Sequence, residues 1–370
     1  MNFDLNEDQE MLKALAERFV ADRYSDGQRA GYLAEPGGYS AHNWALMGEI
    51  GLIGAAFSES SGGLGSSLRD LAIVSQAMGA GLVVEPLIDS AVLAGGLFEE
   101  TAPEDIRNVW LPDLLSGKCR LALAHCEQAA LGRINQIKTR ADNPGDSFTL
   151  TGMKALVCQG LDAGGFIASA SEGGALALFF VEAMAAGLTR TPYRIIDGSL
   201  AVQLTFNKTP ARRLNGGLAE LDAAQTRADL CHCAEALGMM DRVFNSTLEY
   251  LRTRKQFGAA IGSFQAIQHR MVAHYVALEQ ARGLLDRALI AADQSDPALA
   301  HTVAGARAFI SEASVKLGHD AIQFHGGMGV SDELIIGHAH KRFVFLSRFP
   351  VPADVAADSY AGVNFSEANG

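Results

Sequence analysis

Residues 252–258 have the sequence RTRKQFG, and residues 261–268 continue with IGSFQAIQ. Three cations fall within four residues at the end of a predicted helix, in a chain whose net charge is -12. The guanidinium of Arg254 can donate two parallel N–H groups to a phosphate, which an ammonium group cannot do. Two glycines then interrupt the helix, so we expect Phe257 and Gln265 to come from a turn. The stretch predicts a phosphate site, and a solvated helix end is the alternative.

A second stretch, residues 323–329 with the sequence QFHGGMG, follows an apolar helical run. Its three glycines allow the backbone to approach a ligand closely and to expose its N–H groups. In this order and at this separation, the two stretches resemble the acyl-CoA dehydrogenase family, and a looser resemblance extends over most of the chain. The residues that carry the resemblance are Arg254, Phe257, Gln265, Gln323, Gly326 and Gly327.

The resemblance implies an FAD-dependent enzyme that oxidises an acyl-CoA thioester to its 2-enoyl thioester. In that family a carboxylate removes the α-proton and the β-hydride passes to the flavin. The resemblance also implies that the six residues above bind FAD, whose ADP half is held largely by a neighbouring subunit. The implied partners are an acyl-CoA substrate, an electron-transfer flavoprotein, and other subunits of the family in a homo- or hetero-tetramer.

Composition limits the remaining classes of function. The chain has 370 residues, 48% of them hydrophobic, which suffices for two or three domains. The acidic charge argues against nucleic acid, and no apolar run reaches the ~20 residues of a membrane span. The acidic N-terminal residues do not resemble a signal peptide, so we expect a cytoplasmic protein. Five scattered cysteines predict reduced thiols, and Cys231-His232-Cys233 is expected to pack rather than bind metal.

Hydrophobic periodicity predicts a mostly α protein with a central β-domain. Helical spacing dominates residues 1–118, period-two alternation dominates residues 119–212, and helical spacing returns over residues 213–370. We therefore predict a helical N-terminal domain, a small antiparallel β-domain and a C-terminal four-helix bundle. Residues 295–297 (Ser-Asp-Pro) are predicted to cap the third bundle helix, and the fourth is predicted to start near Ser331. The resemblance implies the same order of domains.

The β-domain departs from the family where the flavin ring would be contacted. The family commonly has Thr-Glu-Pro followed by a Gly-Ser pair, and later an aromatic residue beside the ring. This chain has His125-Cys126-Glu127-Gln128 with no Gly-Ser pair, and Gly164-Gly165-Phe166 at the position of the aromatic residue. The resemblance is therefore stronger for the ADP half of FAD than for its flavin ring.

The catalytic base also departs from the family pattern. Its usual Tyr-Glu-Gly-Thr segment corresponds to about residues 349–352, Phe-Pro-Val-Pro, and the alternative glutamate position falls near Arg227-Ala228. None of these residues can remove a proton. Asp354 and Glu235 are the candidate replacements, and a surface acid and a helix-face acid are their simpler interpretations. His325 is expected to make a structural hydrogen bond.

Three interpretations stay open. The chain is an active acyl-CoA dehydrogenase with a relocated base, or a non-catalytic or half-catalytic subunit of a heteromeric one, or a flavin monooxygenase of the same fold. The second resembles the small subunits that pair with a large one in bacterial degradation of dicarboxylic, aromatic or steroid-side-chain acyl-CoAs. It is favoured because the retained residues serve a neighbour's FAD, whereas the lost ones serve the chain's own.

Overall fold

The computed structural model describes residues 5–25, 27–127, 137–143 and 147–367. The helices are α1 (Glu7–Arg23), α2 (Gln28–Ala34), α3 (Ala41–Glu49), α4 (Leu68–Gly81), α5 (Gly96–Thr101), α6 (Glu104–Leu115), α7 (Leu218–Thr253), α8 (Gln265–Asp293), α9 (Leu299–His325), α10 (Ile335–Leu346) and α11 (Ala353–Glu367). The strands are β1 (Leu121–Ala124), β2 (Arg140–Asp142), β3 (Phe148–Cys158), β4 (Gly165–Glu172), β5 (Ala175–Glu182), β6 (Leu188–Arg194), β7 (Leu200–Arg213), β8 (Lys255–Gln256) and β9 (Ala259–Ala260). A π-helical segment, Leu87–Gly95, precedes α5. The mostly α fold with a central β-domain is as predicted.

The chain forms two compact units, and the first is helical. It comprises Met1–Arg29, Leu68–Val83 and Asp229–Gly370. Within it α9 packs against α8, α10 and α11, and α1 packs against α4. A Cβ atom on Gly79 would lie 2.0 Å from the carbonyl oxygen of Glu235, and one on Gly238 would lie 2.0 Å from that of Gln76. These two glycines therefore allow the backbones of α4 and α7 to touch.

The second unit, Ala30–Ser67 and Val84–Ala228, contains the main sheet. Its strand order is β1-β4-β2-β3-β7-β5, with β6 paired to β7. Strand β5 pairs with both β4 and β7, so the strands close on themselves. The enclosed core includes Phe166, Phe179 and Phe206. Each such buried side chain contributes roughly 1.5–3 kcal/mol of transfer free energy.

The predicted antiparallel arrangement holds for most strand pairs of the β-domain, with two exceptions. Strand β4 runs parallel to β1 and to β2, and the other pairs in the sheet are antiparallel. Period-two alternation is the same in both arrangements, so the sequence pattern does not reveal strand direction. Strands β2 and β6 were also missed. The three predicted sequence segments, with boundaries after residues 118 and 212, stay a prediction.

Two predicted helix starts in the bundle were also wrong. The backbone N–H of Asp296 donates to the carbonyl of Ala291 at 2.9 Å, and Ser295 has a φ of 50°. The backbone of residues 295 and 296 thus terminates α8 in a Schellman-type turn. The Asp296 carboxylate accepts the N–H of Ala298 at 2.8 Å, and α9 begins one residue later, at Leu299. Helix α10 begins at Ile335, four residues after the predicted start. In the part of the chain that the structure describes, no helix is long and apolar enough to cross a membrane.

Candidate functional site

The basic stretch ends α7 in a tight hairpin. Strands β8 and β9 pair on either side of Phe257 and Gly258, whose φ values are 53° and 80°. Two consecutive positive φ values are typical of a type I′ turn, which is strained for a residue other than glycine. The Phe257 side chain is 93% exposed, and its ring lies 6.4 Å from the ring of Phe264. The hairpin therefore presents an aromatic ring to the surroundings at some conformational cost.

The cations beside this hairpin are available to a ligand. Arg252, Arg254 and Lys255 are all exposed, and none of them makes an ion pair with a residue that the structure describes. Gln265, the first residue of α8, is exposed as well. The Arg254 guanidinium can therefore form two charge-assisted hydrogen bonds to an anion without first breaking an internal ion pair.

The glycine stretch forms the turn that ends α9. Gly326 has φ 60° and ψ -137°, a conformation essentially restricted to glycine. A Cβ atom on Gly326 or Gly327 would meet no atom within 4 Å, so both residues border open space. Gln323 is exposed beside them, and its carbonyl oxygen accepts the N–H of Gly326. The turn thus exposes backbone where a ligand can approach.

A ring stack joins the two stretches. The rings of Tyr250 and His325 lie 4.3 Å apart with 22° between their planes. Tyr250 lies in the last turn of α7, and its carbonyl accepts the N–H of Arg254, the residue after the helix, at 2.8 Å. His325 immediately precedes Gly326. The structure therefore brings the basic hairpin and the glycine turn side by side within one chain.

His325 has a structural role in this stack. Its Nδ1 lies 2.8 Å from the carbonyl oxygen of Ala321, and burial lowers the pKa of the imidazole. A neutral ring with Nδ1–H donating to the carbonyl satisfies both observations. The predicted structural hydrogen bond is therefore present.

Polar side chains connect helices α8 and α9 next to the glycine turn that ends α9. The Asp320 carboxylate on α9 accepts hydrogen bonds from Arg270 and lies 2.7 Å from Nε2 of His274, both on α8. The Arg270 guanidinium also lies 4.7 Å from the centre of the Phe324 ring. Sequence reasoning missed these contacts and Tyr250. Arg270 and His274 are four residues apart on one face of α8, which was the available signal.

Neither candidate base is an unengaged carboxylate in a dry pocket. Both carboxylate oxygens of Glu235 accept hydrogen bonds from Arg342, at 2.8 and 3.0 Å. Asp354 is exposed, and one of its oxygens accepts the N–H of Val355 at 3.1 Å. A proton-abstracting carboxylate must be free to reach the substrate in a site that excludes water. Arg342 occupies both oxygens of Glu235, and Asp354 is exposed to solvent. The simpler interpretations of both residues therefore agree with their surroundings.

Glu127 and residues 164–166, which fall at the family's flavin-ring positions, pack within the β-domain itself. Phe166 is fully buried in the sheet core. A Cβ atom on Gly165 would lie 2.6 Å from the Phe180 ring, and one on Gly164 would lie 2.4 Å from Sγ of Cys119. The segment 164–166 thus packs internally and does not present an exposed aromatic ring. Glu127 is also buried, and Gln128 lies outside the described residues.

The fold is a helical bundle with a β-domain, and the end of α7 carries exposed cations next to an open glycine turn. The family model for the acyl-CoA dehydrogenase N-terminal domain matches residues 6–118, and that for the C-terminal domain matches residues 216–347. The chain belongs to the acyl-CoA dehydrogenase family. It is thus a flavoprotein oxidoreductase of the class that acts on CH–CH bonds with FAD.

Curated relatives cover most of the chain. L-prolyl-[peptidyl-carrier protein] dehydrogenase of Pseudomonas fluorescens is 32% identical over 311 residues, covering 79% of this chain and 81% of that protein. Acyl-CoA dehydrogenase FadE27 of Mycobacterium tuberculosis is 28% identical over 299 residues, covering 78% of this chain and 79% of that protein.

Solved structures extend the similarity to the whole fold. The ChsE4-ChsE5 complex from Mycobacterium tuberculosis has a TM-score of 0.89 at 25% identity and covers 100% of both chains. PigA with FAD and proline also has a TM-score of 0.89 at 25% identity and covers 98% of both chains.

Proposed function

We propose that this chain is a subunit of a heteromeric FAD-dependent acyl-CoA dehydrogenase, in which it binds the ADP half of FAD. The six proposed cofactor-binding residues are Arg254, Phe257, Gln265, Gln323, Gly326 and Gly327. The observation that carries the proposal is the Tyr250–His325 stack, which holds the basic hairpin beside the open glycine turn. Arg254 supplies two donors to the diphosphate, and the turn supplies backbone N–H groups.

The chemistry of these residues fits a dinucleotide. Phosphate attracts the exposed cations at residues 252–255, in a chain that is otherwise acidic. Phe257 offers an exposed ring for stacking on a planar group. FAD, when bound, supplies the hydride acceptor, and the residues of this chain bind and orient it. Because Gly326 and Gly327 carry no side chains, the turn leaves open the space that the diphosphate would fill.

The missing base supports a subunit role over an independent enzyme. Ala228 is fully buried and cannot exchange a proton, and prolines occupy positions 350 and 352. Glu235 is held by Arg342, and Asp354 is exposed. A catalytic carboxylate from another subunit would complete the site. The similarity to a complex of ChsE4 and ChsE5 is consistent with such an assembly.

An apolar face of α8 offers a surface for that assembly. Val272, Tyr275 and Val276 are 62%, 53% and 49% exposed and follow one another at helical spacing. Exposed apolar side chains of this size on one face are typical of subunit interfaces. We propose that this face contacts another subunit of the same family. We also propose that an electron-transfer flavoprotein accepts the electrons from the flavin. The protein would act in the cytoplasm, where its five cysteines would stay reduced.

A second substrate class is a thioester carried by a protein instead of coenzyme A. The 32%-identical relative is a dehydrogenase of prolyl-carrier protein, and this similarity favours testing carrier-bound substrates beside acyl-CoA. Both classes present a thioester carbonyl next to the bond that is oxidised, so the same flavin chemistry serves both.

Co-expression with another acyl-CoA dehydrogenase-like protein encoded beside this chain tests the proposal. We expect the chain alone to carry little FAD and to show no turnover with butyryl-CoA or octanoyl-CoA. The co-purified assembly should carry bound FAD at a fixed ratio of subunits. Bleaching of a flavin bound to the chain alone by either acyl-CoA would contradict the subunit role and favour a relocated base.

A further inference from the structure

A buried polar cluster lies at the end of β1, inside the β-domain. Its members are His125, Glu127, Thr139, Lys154 and Ser169. Lys154 and Ser169 are fully buried, and Glu127 is 5% exposed. Charged groups at such depth are costly unless every donor and acceptor is satisfied. The protonation pattern of the cluster can therefore be worked out from its hydrogen bonds.

Glu127 and Lys154, the acidic and basic residues of the cluster, are both charged. Oε1 of Glu127 accepts from Lys154 Nζ at 2.7 Å and from the hydroxyl and N–H of Thr139 at 2.7 and 3.1 Å, and Oε2 accepts the N–H of Lys138 at 2.8 Å. Burial alone would raise the pKa of Glu127, but Lys154 and these hydrogen bonds lower it overall. Glu127 is thus a carboxylate.

Each of the three ammonium protons of Lys154 has its own acceptor. They are Oε1 of Glu127 at 2.7 Å, Oγ of Ser169 at 3.1 Å and the carbonyl oxygen of His125 at 3.3 Å. An ammonium group donates and cannot accept. The Ser169 oxygen must therefore accept from Lys154, which leaves the single hydroxyl proton of Ser169 for another partner.

That partner is the imidazole of His125. Its Nδ1 lies 2.8 Å from Oγ of Ser169, and the hydroxyl donates to no other described residue. Nδ1 is therefore the acceptor, so the ring proton of the neutral imidazole lies on Nε2. Burial, and then the charge of Lys154, lowers the pKa of His125 to about 4, so the ring is neutral at pH 7.

The Nε2–H group takes no part in the hydrogen bonds of the cluster. It makes no hydrogen bond to any residue that the structure describes, and it is not among the buried polar atoms that lack a partner. A donor held in one tautomer by two fully buried side chains is suited to an uncharged acceptor, such as a carbonyl oxygen or an unprotonated ring nitrogen. It is not suited to supplying a proton, because the ring carries only one and stays neutral at pH 7.

We propose that Ser169 and Lys154 fix His125 as the Nε2–H tautomer, so that His125 donates a hydrogen bond to a carbonyl oxygen or ring nitrogen of the bound ligand. This inference rests on the proposed function for the presence of FAD in the assembly. It goes beyond that function, which assigns only the ADP half of FAD to this chain, because it places the acceptor on the ring system of an FAD. Ser169 and Lys154 are then positioning residues, and His125 is the contacting residue. The Glu127 carboxylate keeps Lys154 charged, which keeps the direction of the hydrogen bonds fixed.

The tautomer is tested first, without any ligand. In the chain labelled with ¹⁵N-histidine, a long-range ¹H–¹⁵N NMR correlation distinguishes protonated from unprotonated ring nitrogens, and loss of signals in His125→Gln assigns the ring. We expect protonated Nε2 and unprotonated Nδ1 for His125. Ser169→Ala should give a mixture of tautomers, whereas Ser171→Ala on the same strand should not. A protonated Nδ1, or no change in Ser169→Ala, would overturn the inference.

The contact to the ligand is tested second, in the flavin-loaded assembly. His125→Leu should weaken FAD binding about 3- to 10-fold, the effect of losing one neutral hydrogen bond, and should shift the flavin absorption band. His125→Gln retains an N–H donor and should restore most of the affinity, which separates donation from folding.

The outcomes separate the two proposals. If Arg254→Ala loses FAD while His125→Leu binds FAD as the wild type does, the proposed function stands and the donor role fails. An assembly that never binds FAD refutes both, whatever the NMR shows. If His125→Leu and His125→Gln lose FAD equally, His125 acts through packing and the donor role is wrong.

Discussion

The ring of Tyr250 stacks on the ring of His325, with 4.3 Å between their centres. This contact joins the end of α7 to the end of α9, and so places Arg254 near Gly326 and Gly327. Neither aromatic residue belongs to the set that indicates the family. The stack thus brings together two stretches that are distant in sequence, as the proposed diphosphate site requires.

Replacing Arg254 by alanine should release FAD from the assembly without unfolding the chain. The change removes charge-assisted hydrogen bonds worth about 1.5–3 kcal/mol, and the side chain is exposed, so no cavity is left. We expect a rise of roughly 10- to 100-fold in the dissociation constant for FAD, measured by flavin fluorescence. Arg252→Ala removes an exposed cation two residues away and is the matched control. Equal losses in both variants would indicate general electrostatic attraction instead of a specific contact.

The two glycines of the turn should respond differently to alanine. Gly326→Ala forces a side chain onto φ 60° and ψ -137° and should lower the free energy of unfolding by about 1–3 kcal/mol. Gly327→Ala should leave it almost unchanged, because no atom lies within 4 Å of the added methyl group. If the diphosphate fills that space, Gly327→Ala should still weaken FAD binding by about tenfold or more. Urea unfolding and FAD titration measure the two effects, and normal FAD binding by Gly327→Ala would place the ligand elsewhere.

A charge on the exposed face of α8 should break the assembly. Val272→Glu places a carboxylate within an apolar surface that another subunit would cover, where it would be buried without a partner. Light scattering should show a lower mass for this variant. Val109→Glu on α6 changes a side chain that is 70% exposed and serves as control. Loss of assembly in the control alone would move the interface away from α8.

Acid should destabilise the chain partly through His125. The pKa of His125 is about 4 in the fold, against 6.5 as its ordinary value, because burial and Lys154 disfavour the imidazolium. Below pH 6.5 the imidazole of the unfolded chain binds a proton, whereas that of the folded chain does not until about pH 4. The contribution of the neutral His125 ring to stability is therefore fully present above pH 6.5 and is lost as the pH falls toward 4. Between pH 7 and pH 5 this costs about 2 kcal/mol. His125→Gln should lose correspondingly less over that range in urea unfolding, whereas the exposed His42→Gln should follow the wild type.

A buried arginine should contribute far more to stability than an exposed one. Arg307 pairs with Asp229 and donates to the carbonyl oxygens of Leu346, Phe349 and Val351, at 3.2, 2.8 and 2.7 Å. Arg307→Ala leaves these acceptors and a carboxylate without their donor, and should cost about 3–5 kcal/mol in urea unfolding.

The control for Arg307 is an ion pair at the surface. Arg212 pairs with Asp105, and both side chains are more than half exposed. Arg212→Ala should change the free energy of unfolding by less than about 1 kcal/mol, because water screens the pair. Similar costs for Arg307→Ala and Arg212→Ala would show that Arg307 does not hold the segment after α10.

The sequence predicted the order of helical and β parts because apolar side chains repeat with the period of each element. It did not predict strand direction, since Leu121 and Ala124 on β1 alternate alike in parallel and antiparallel sheets. It predicted a turn at Phe257 but not the strand pair on either side of it, because a phenylalanine at positive φ is uncommon and the usual Asn-Gly signal is absent. Ser295 and Asp296 have the composition of a helix start, yet their backbone N–H groups donate to the last turn of α8, and only the Asp296 side chain accepts from the segment before α9.

The candidate site, like the fold, could be predicted from the sequence only in part. Arg254 and Gly326 could be selected from sequence because a cation and glycines next to helix ends suit phosphate. The stack of Tyr250 on His325 could not be predicted from the sequence, because it depends on how α7 and α9 pack. The link between His125 and Ser169 was hidden for a similar reason. These residues are 44 positions apart, and pairing between β1 and β4 brings them together.

The central claim is tested most directly by a structure of the assembly with FAD bound. We predict that two nitrogens of the Arg254 guanidinium, either both terminal ones or one terminal nitrogen and Nε, lie within about 3 Å of diphosphate oxygens. We also predict that the ligand fills the open space beside Gly326 and Gly327. A diphosphate bound away from both segments, with Arg254 in solvent, would contradict the account.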